Sequence, residues 1–200
     1  MHHLRHFSLT GCFVAICCLV SMNSHADAEP GIWSKIKDTN WDDGRYRLEL
    51  QGWVGSRSGN RSRSDDVGIV GSIEREFALG EKLTVGLRVL PLFYYDADEV
   101  SGDAYEQTDI WGAGFGVTVR RYFKEVHEGW YFEFMESIVA HDDKFNGNSG
   151  SANFMSETAF GYEFDNHWHL SGKLRHLSNG GWADDNSGVN AFGVGVGLSF

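Results

Sequence analysis

Cysteine is missing from all but the first part of this 200-residue chain: Cys12, Cys17 and Cys18 are the only three. The remainder therefore has no disulfide framework and no thiolate metal site. No lipobox precedes any of the three, which argues against a lipoprotein. Positive charge is also short. Lys and Arg number 17 against 28 Asp and Glu, for a formal charge of −11, and so acidic a chain is a poor nucleic-acid binder. Proline is scarce at 2, against 25 glycines. No stretch beyond the N-terminal region is apolar for the roughly 20 residues that a membrane-spanning helix needs. The remaining way for this chain to cross a bilayer is a closed β-barrel, whose backbone groups pair between strands.

What is present begins with an export signal. MHHLRHFSLTGCFVAICCLVSMNSHADA has a weakly basic start at Arg5 and an apolar run from about Cys12 to Met22. Ser24, Ala26 and Ala28 are small residues placed for signal peptidase. Cleavage after Ala28 removes Arg5 and Asp27 together, so the charge balance does not change. Residues 29–43 carry Ile32, Trp33 and Ile36 among polar residues. They fit either a short interfacial helix or a loosely ordered periplasmic leader, and the barrel is expected over 44–200.

From Gly44 the chain divides into segments with period-2 patterning at 45–55, 67–77, 83–95, 110–123, 130–140, 153–164, 167–178 and 190–200. The connections at 56–66, 96–109, 141–151 and 179–189 are long and polar, and those at 78–82, 124–129 and 165–166 are short. Strict alternation of this kind belongs to outer-membrane barrels, with short periplasmic turns and longer extracellular loops. The pattern predicts an all-β fold, an eight-stranded antiparallel transmembrane β-barrel, with a soluble lipocalin-like barrel as the competing layout. The last segment favours the membrane. Phe192, Val194, Val196, Leu198 and Phe200 share one face, and the chain ends on the aromatic. This resembles the terminal strand of outer-membrane barrels, whose final Phe the assembly machinery recognises. Trp53, Tyr94, Tyr95, Trp111, Tyr122, Trp130 and Trp168 stand near strand ends, as aromatic girdles require. Eight strands enclose an interior filled by side chains, so no open pore is expected.

RHLSNGG, residues 175–181, is the segment with chemistry in it. In strand 167–178 the even positions are apolar (Trp168, Leu170, Leu174) until His176 and Ser178. In a membrane barrel the apolar face meets lipid, so the pair continues the lipid-facing row, with Cβ atoms about 6.8 Å apart by strand geometry. Strand 7 runs outward if the N-terminus starts in the periplasm, which places the pair near the outer leaflet. His169 and Ser171 have the same spacing but the opposite parity, beside Lys173 and Arg175, and read as a lumen polar network. His141 with Asp142 and Asp143 reads as a solvated extracellular loop, with weak metal binding as the sharper alternative. Arg57, Arg61 and Arg63 fit either phosphate contacts to lipid A or a merely soluble loop.

His176-Leu177-Ser178-Asn179 on the penultimate strand of a small exported barrel resembles the lipid A 3-O-deacylase family of outer-membrane esterases. The resemblance covers the eight-strand layout, and its specific part is confined to the last 26 or so residues. It implies Ser178 as nucleophile, His176 as its base, and Asn179 with backbone near Gly181 as oxyanion donors. That family's pattern places Glu fourteen residues past the His, to orient it; here Asn190 stands there. The motif is also similar to outer-membrane phospholipase A, which uses Asn at that spacing. In those enzymes an Arg after the Gly helps hold calcium, and here Gly181 takes its place. The loop residues Asp184 and Asp185 are competing candidates for orienting the histidine. The activity implied is hydrolysis of the 3-O-linked hydroxyacyl ester of lipid A, without cofactor or metal. The alternatives are a phospholipase and a non-catalytic structural barrel. The partners implied are lipopolysaccharide of the outer leaflet, the assembly machinery through the terminal strand, and a second copy of the chain.

Overall fold

The computed structural model describes residues 31–56, 63–97, 109–144 and 147–200. The segment expected to be an export signal, and Arg57 and Arg61 of the first long loop, lie outside the described residues. A short helix, α1 (Ile32–Asp38), precedes the barrel, with Gly31 and Thr39 at its caps and Trp33 exposed.

Eight strands follow: β1 (Arg45–Ser56), β2 (Val67–Ala78), β3 (Leu83–Asp96), β4 (Asp109–Tyr122), β5 (Gly129–His141), β6 (Ala152–Glu163), β7 (Trp168–Ser178) and β8 (Val189–Ser199). Each begins and ends within one residue of its predicted segment. Neighbours pair antiparallel, and β8 returns to β1 to close the barrel, with Arg47 opposite Ser199 and Ser56 opposite Asn190. The alternation sets the two walls. In β1 the even residues Tyr46, Leu48, Leu50 and Val54 are exposed, while Arg47, Gln51 and Trp53 are buried. In β8 Phe192, Val194 and Val196 are exposed and Ser199 is buried.

The interior has two layers. Behind the long loops lies an apolar plug that includes Trp53, Leu90, Phe93, Met155, Leu177 and Val189. Beneath it the lumen is filled by charge. Arg120 meets Glu74 at 3.1 Å, Glu133 at 2.7 Å and also Glu76. Lys173 bridges Glu49 at 3.0 Å and Glu133 at 2.9 Å. Glu157 holds Arg175 at 2.7 Å and Arg88 at 3.2 Å. His169 and Ser171 belong to this network: both are buried, and Ser171 Oγ donates to Glu49 at 3.3 Å. Buried ions require such partners, and the filled lumen leaves no channel among the described residues.

Three expectations are corrected. Of the aromatics assigned to girdles, Trp53, Tyr95 and Tyr122 are buried inside the barrel, whereas Trp111, Trp130 and Trp168 stand outside. Parity decides this for Trp53 and Tyr122. For Tyr94 and Tyr95 a register shift between Leu90 and Phe93 exchanges the two faces, at Pro91, which has no N–H to give the ladder. Arg63 is not a loop cation facing phosphate. It is buried, and its guanidinium meets Asp66 at 3.3 Å and donates to Tyr95 Oη at 3.0 Å. His141 is not a solvated loop residue either. It ends β5, buried, with Nδ1 2.6 Å from the Asp143 carbonyl and Nε2 2.5 Å from Asn153 Nδ2. Among the described residues no cluster of His, Cys, Asp and Glu is arranged to hold a metal.

Candidate active site

β7 presents Trp168, Leu170, Leu174 and His176 to the outside, and Ser178 follows on the same face, half-buried at the strand's end. The register sets the histidine's neighbours. His176 lies directly opposite Asn190 on β8 and opposite Ser156 on β6. Its Nδ1 is 2.7 Å from Asn190 Oδ1. An amide oxygen only accepts, so Nδ1 carries the hydrogen and Nε2 is left as a lone-pair acceptor. Asn190 is in turn steadied by Ser56, the last residue of β1, whose Oγ donates to the Asn190 carbonyl at 3.1 Å. Asp185 does not reach the histidine in this arrangement. Its carbonyl accepts from Asn179 Nδ2 at 2.7 Å and from Ser149 N at 3.0 Å.

Ser178 is flanked on β6 by Phe154, directly opposite it. The Phe154 ring meets Trp182 edge-on at 4.5 Å. Among the described residues no hydrogen bond joins Ser178 Oγ to His176. The turn beyond is held from behind by asparagines. Asn179 is fully buried, its Nδ2 donating to Asn148 Oδ1 at 3.0 Å and its backbone N–H to Asn186 Oδ1 at 2.9 Å. Gly181 N–H donates to Asn179 Oδ1 at 2.9 Å. Both expected oxyanion donors are thus engaged in shaping the turn. The N–H between them, on Gly180, has no partner among the described residues. Gly180 and Gly181 both have positive φ, at 64° and 85°, a region that glycine enters without strain.

Sequence reasoning missed several neighbours. Gly188 packs on the imidazole: a Cβ there would stand 2.7 Å from His176 Cε1. Gly188→Ala is expected to push the ring off Asn190 and lower turnover about tenfold, an effect worth about 1.4 kcal/mol of barrier. Retained activity in a steady-state assay would show that the ring has room. Ser56 and Ser156 were legible from parity on their own strands, and so was Glu136, which shares the outward face of β5 with Trp130 and Ile138.

Below the histidine the outer wall is furrowed. One groove of about 360 Å³ includes Ser56, Ser156, His176 and Asn190 in its lining. A second, also about 360 Å³, is lined by Phe132, Phe160, Gly172 and Gly193 among others. The two share Thr158, Leu174 and Phe192. Together they make an apolar furrow that leads from the polar residues down the wall towards the short turns.

Fold and site together define a small membrane-spanning barrel with a polar constellation on its lipid-facing wall, below the long loops. Residues 44–199 match the family model of lipid A 3-O-deacylase (PagL), and the chain belongs to that family. Its place is the outer membrane of a Gram-negative bacterium. Solved structures similar to it include the outer-membrane enzyme PagL, at 15% identity and TM-score 0.48 over 75% of this chain and 98% of that one. Neisserial surface protein A is similar at 12% identity and TM-score 0.49, over 78% and 97%. OprG from Pseudomonas aeruginosa is similar at 12% identity and TM-score 0.42, over 78% and 96%. No curated protein matches the chain.

Proposed function

We propose that the chain is a serine esterase that removes the 3-O-linked hydroxyacyl chain from lipid A, with His176 as base, Ser178 as nucleophile and Asn190 as the group that orients the histidine. The observation that carries this reading is the His176–Asn190 pair at 2.7 Å on the outer wall, above an apolar furrow, in a chain of the deacylase family. His176 Nε2 takes the Ser178 proton, and Oγ attacks the ester carbonyl. The imidazolium returns the proton to the sugar oxygen as the C–O bond breaks. Water, deprotonated in turn by His176, then cleaves the acyl-enzyme and releases the free hydroxy acid. The oxyanion meets the glycine turn, where the Gly180 N–H is the donor to hand. No deep pocket is needed, because the substrate arrives sideways from the leaflet and its acyl chain lies along the furrow.

Lipopolysaccharide is the proposed partner in the membrane, and the Phe192–Phe200 row the proposed handle for assembly. Purified protein in micelles, offered lipid A and glycerophospholipid separately, is expected to release a 3-hydroxy fatty acid from the first only. Release from glycerophospholipid alone would move the assignment to the phospholipase, a reading favoured by the amide at 190.

Asn190 separates orientation from charge. Its Oδ1 fixes the tautomer of His176, and as a neutral amide it steadies the imidazolium less than a carboxylate does. Asn190→Ala is expected to lower turnover at least ~10-fold in a folded barrel. Asn190→Glu is expected to keep or raise it. Wild-type kinetics for Asn190→Ala, with loss in Asp184→Ala or Asp185→Ala, would place the orienting group in the loop.

A further inference from the structure

We propose that His141, Asn153 and Asn148 are positioning residues of this same site: through a one-way chain of hydrogen bonds they hold the glycine turn whose Gly180 N–H meets the oxyanion. The inference rests on the esterase reading and deepens it, by tying the turn to the outer end of β5.

The chain starts at the turn. Gly181 N–H donates to Asn179 Oδ1 at 2.9 Å, Asn179 Nδ2 to Asn148 Oδ1 at 3.0 Å, and Asn148 Nδ2 to Asn153 Oδ1 at 2.8 Å. Asn153 Nδ2 stands 2.5 Å from His141 Nε2, and His141 Nδ1 stands 2.6 Å from the Asp143 carbonyl. All four side chains are buried. The two ends fix the direction, because a backbone N–H only donates and a backbone carbonyl only accepts. Gly150 N–H pins the middle, donating to Asn148 Oδ1 at 3.1 Å. Each amide is therefore held in one orientation. His141 is held as the neutral tautomer, with its hydrogen on Nδ1 and a lone pair on Nε2.

Polar side chains so placed are costly unless every group is paired. The apolar plug adjoins them: the Phe93 and His141 rings are 6.5 Å apart, and Met155 and Leu177 are the next inward residues along β6 and β7. Lacing the two loops together does not account for the amides. Backbone bonds do that already, from Ser149 N–H to the Asp185 carbonyl at 3.0 Å and from Ser187 N–H to the Gly147 carbonyl at 2.6 Å. What the chain alone reaches is the turn. Gly180 and Gly181 are adjacent glycines at positive φ, the most permissive backbone there is, and an oxyanion donor must be fixed before the charge develops. The clamp therefore has to come from outside the turn. With the Gly181 N–H turned onto Asn179, the Gly180 N–H is left out of the turn's own bonding and free to meet the oxyanion.

The test compares the mature barrel in micelles with Asn148→Ala, His141→Leu and His141→Gln, the last of which keeps an acceptor for Asn153 without the imidazole. An alkylboronic acid probes the oxyanion position: Ser178 Oγ adds to boron as its proton passes to His176, and an oxygen of the tetrahedral boronate takes the oxyanion's place. Asn148→Ala and His141→Leu are expected to lower both kcat on lipid A and affinity for the boronic acid about tenfold. KM and affinity for the product, a 3-hydroxy fatty acid, are expected to stay at the wild-type values. His141→Gln is expected to restore kcat and boronate affinity. Wild-type kcat and boronate affinity in Asn148→Ala and His141→Leu would overturn the proposal. KM and product affinity worsening in step with kcat, the mark of loosened loops, would overturn it too, as would a His141→Gln no better than His141→Leu. Should the variants fail to fold, nitrogen NMR of the wild-type His141 ring decides: hydrogen is expected on Nδ1 alone, and hydrogen on Nε2 overturns the proposal. A wild type that neither binds the boronic acid nor releases hydroxy acid would defeat the esterase reading, and the proposal with it, whereas an active wild type with unaffected variants defeats the proposal alone.

Discussion

Ser178→Ala is expected to lower esterase turnover by at least about 10³-fold, the scale on which removing the nucleophile of a serine–histidine site acts, while the barrel still folds and shifts on heating in gel electrophoresis. The loss is large because the base has no equivalent target. Ser156 stands directly opposite His176 but gives its hydrogen to Glu136. Ser56 is two strands away and donates to the Asn190 carbonyl. The folded state should be untouched, since Ser178 is half-buried at the end of β7 and only a hydroxyl is removed. Turnover above about a tenth of wild type would mean that another group attacks the ester, and Ser56→Ala and Ser156→Ala would then find it.

Arg120→Ala is expected to cost about 3–5 kcal/mol of stability, as the loss of one partner from a buried ion group does. Arg120 is buried among Glu74, Glu76 and Glu133. Truncating it leaves three carboxylates crowded in the lumen, with Lys173 at 2.9 Å from Glu133 and Arg45 at 2.9 Å from Glu76 as their nearest remaining cations. Urea unfolding in micelles should show the midpoint falling sharply. Adding Glu74→Gln should recover part of the loss, because it removes one of the repelling charges. An unchanged midpoint in Arg120→Ala would mean that water or protons neutralise the lumen without the arginine.

Most of the barrel was legible in the sequence because side-chain alternation and loop length are local. The outward wall of the strands is largely apolar, and Phe192 to Phe200 shows this without any partner strand. What alternation could not show is where it breaks. The bulge at Pro91 exchanges the faces within β3, so Tyr95 lies inside against Trp53, their rings 5.2 Å apart. The burial of Arg63 and His141 is not legible in the sequence because their partners are distant in sequence or on another strand: Tyr95 for the one, Asn153 for the other. At the site, the shared face of His176, Ser178 and Asn190 followed from counting residues along β7 and β8. The placing of Ser156 directly opposite His176 did not, because it depends on the register of the β6–β7 pairing. Asn179 was placed correctly in the turn, but its hydrogen bonds run backwards into the loops, to Asn148, Asn186 and the Asp185 carbonyl.

The central claim is that Ser178 and His176 hydrolyse a hydroxyacyl ester of lipid A from the lipid-facing wall. Mass spectra of lipid A and phospholipids from Gram-negative cells making either the wild type or Ser178→Ala test it most directly. The expected result is lipid A lighter by one hydroxyacyl chain in cells with the wild type, full-length lipid A with Ser178→Ala, and phospholipids unchanged in both. Lysophospholipid accumulating with intact lipid A would contradict the substrate, and identical lipids from the two strains would contradict the activity itself.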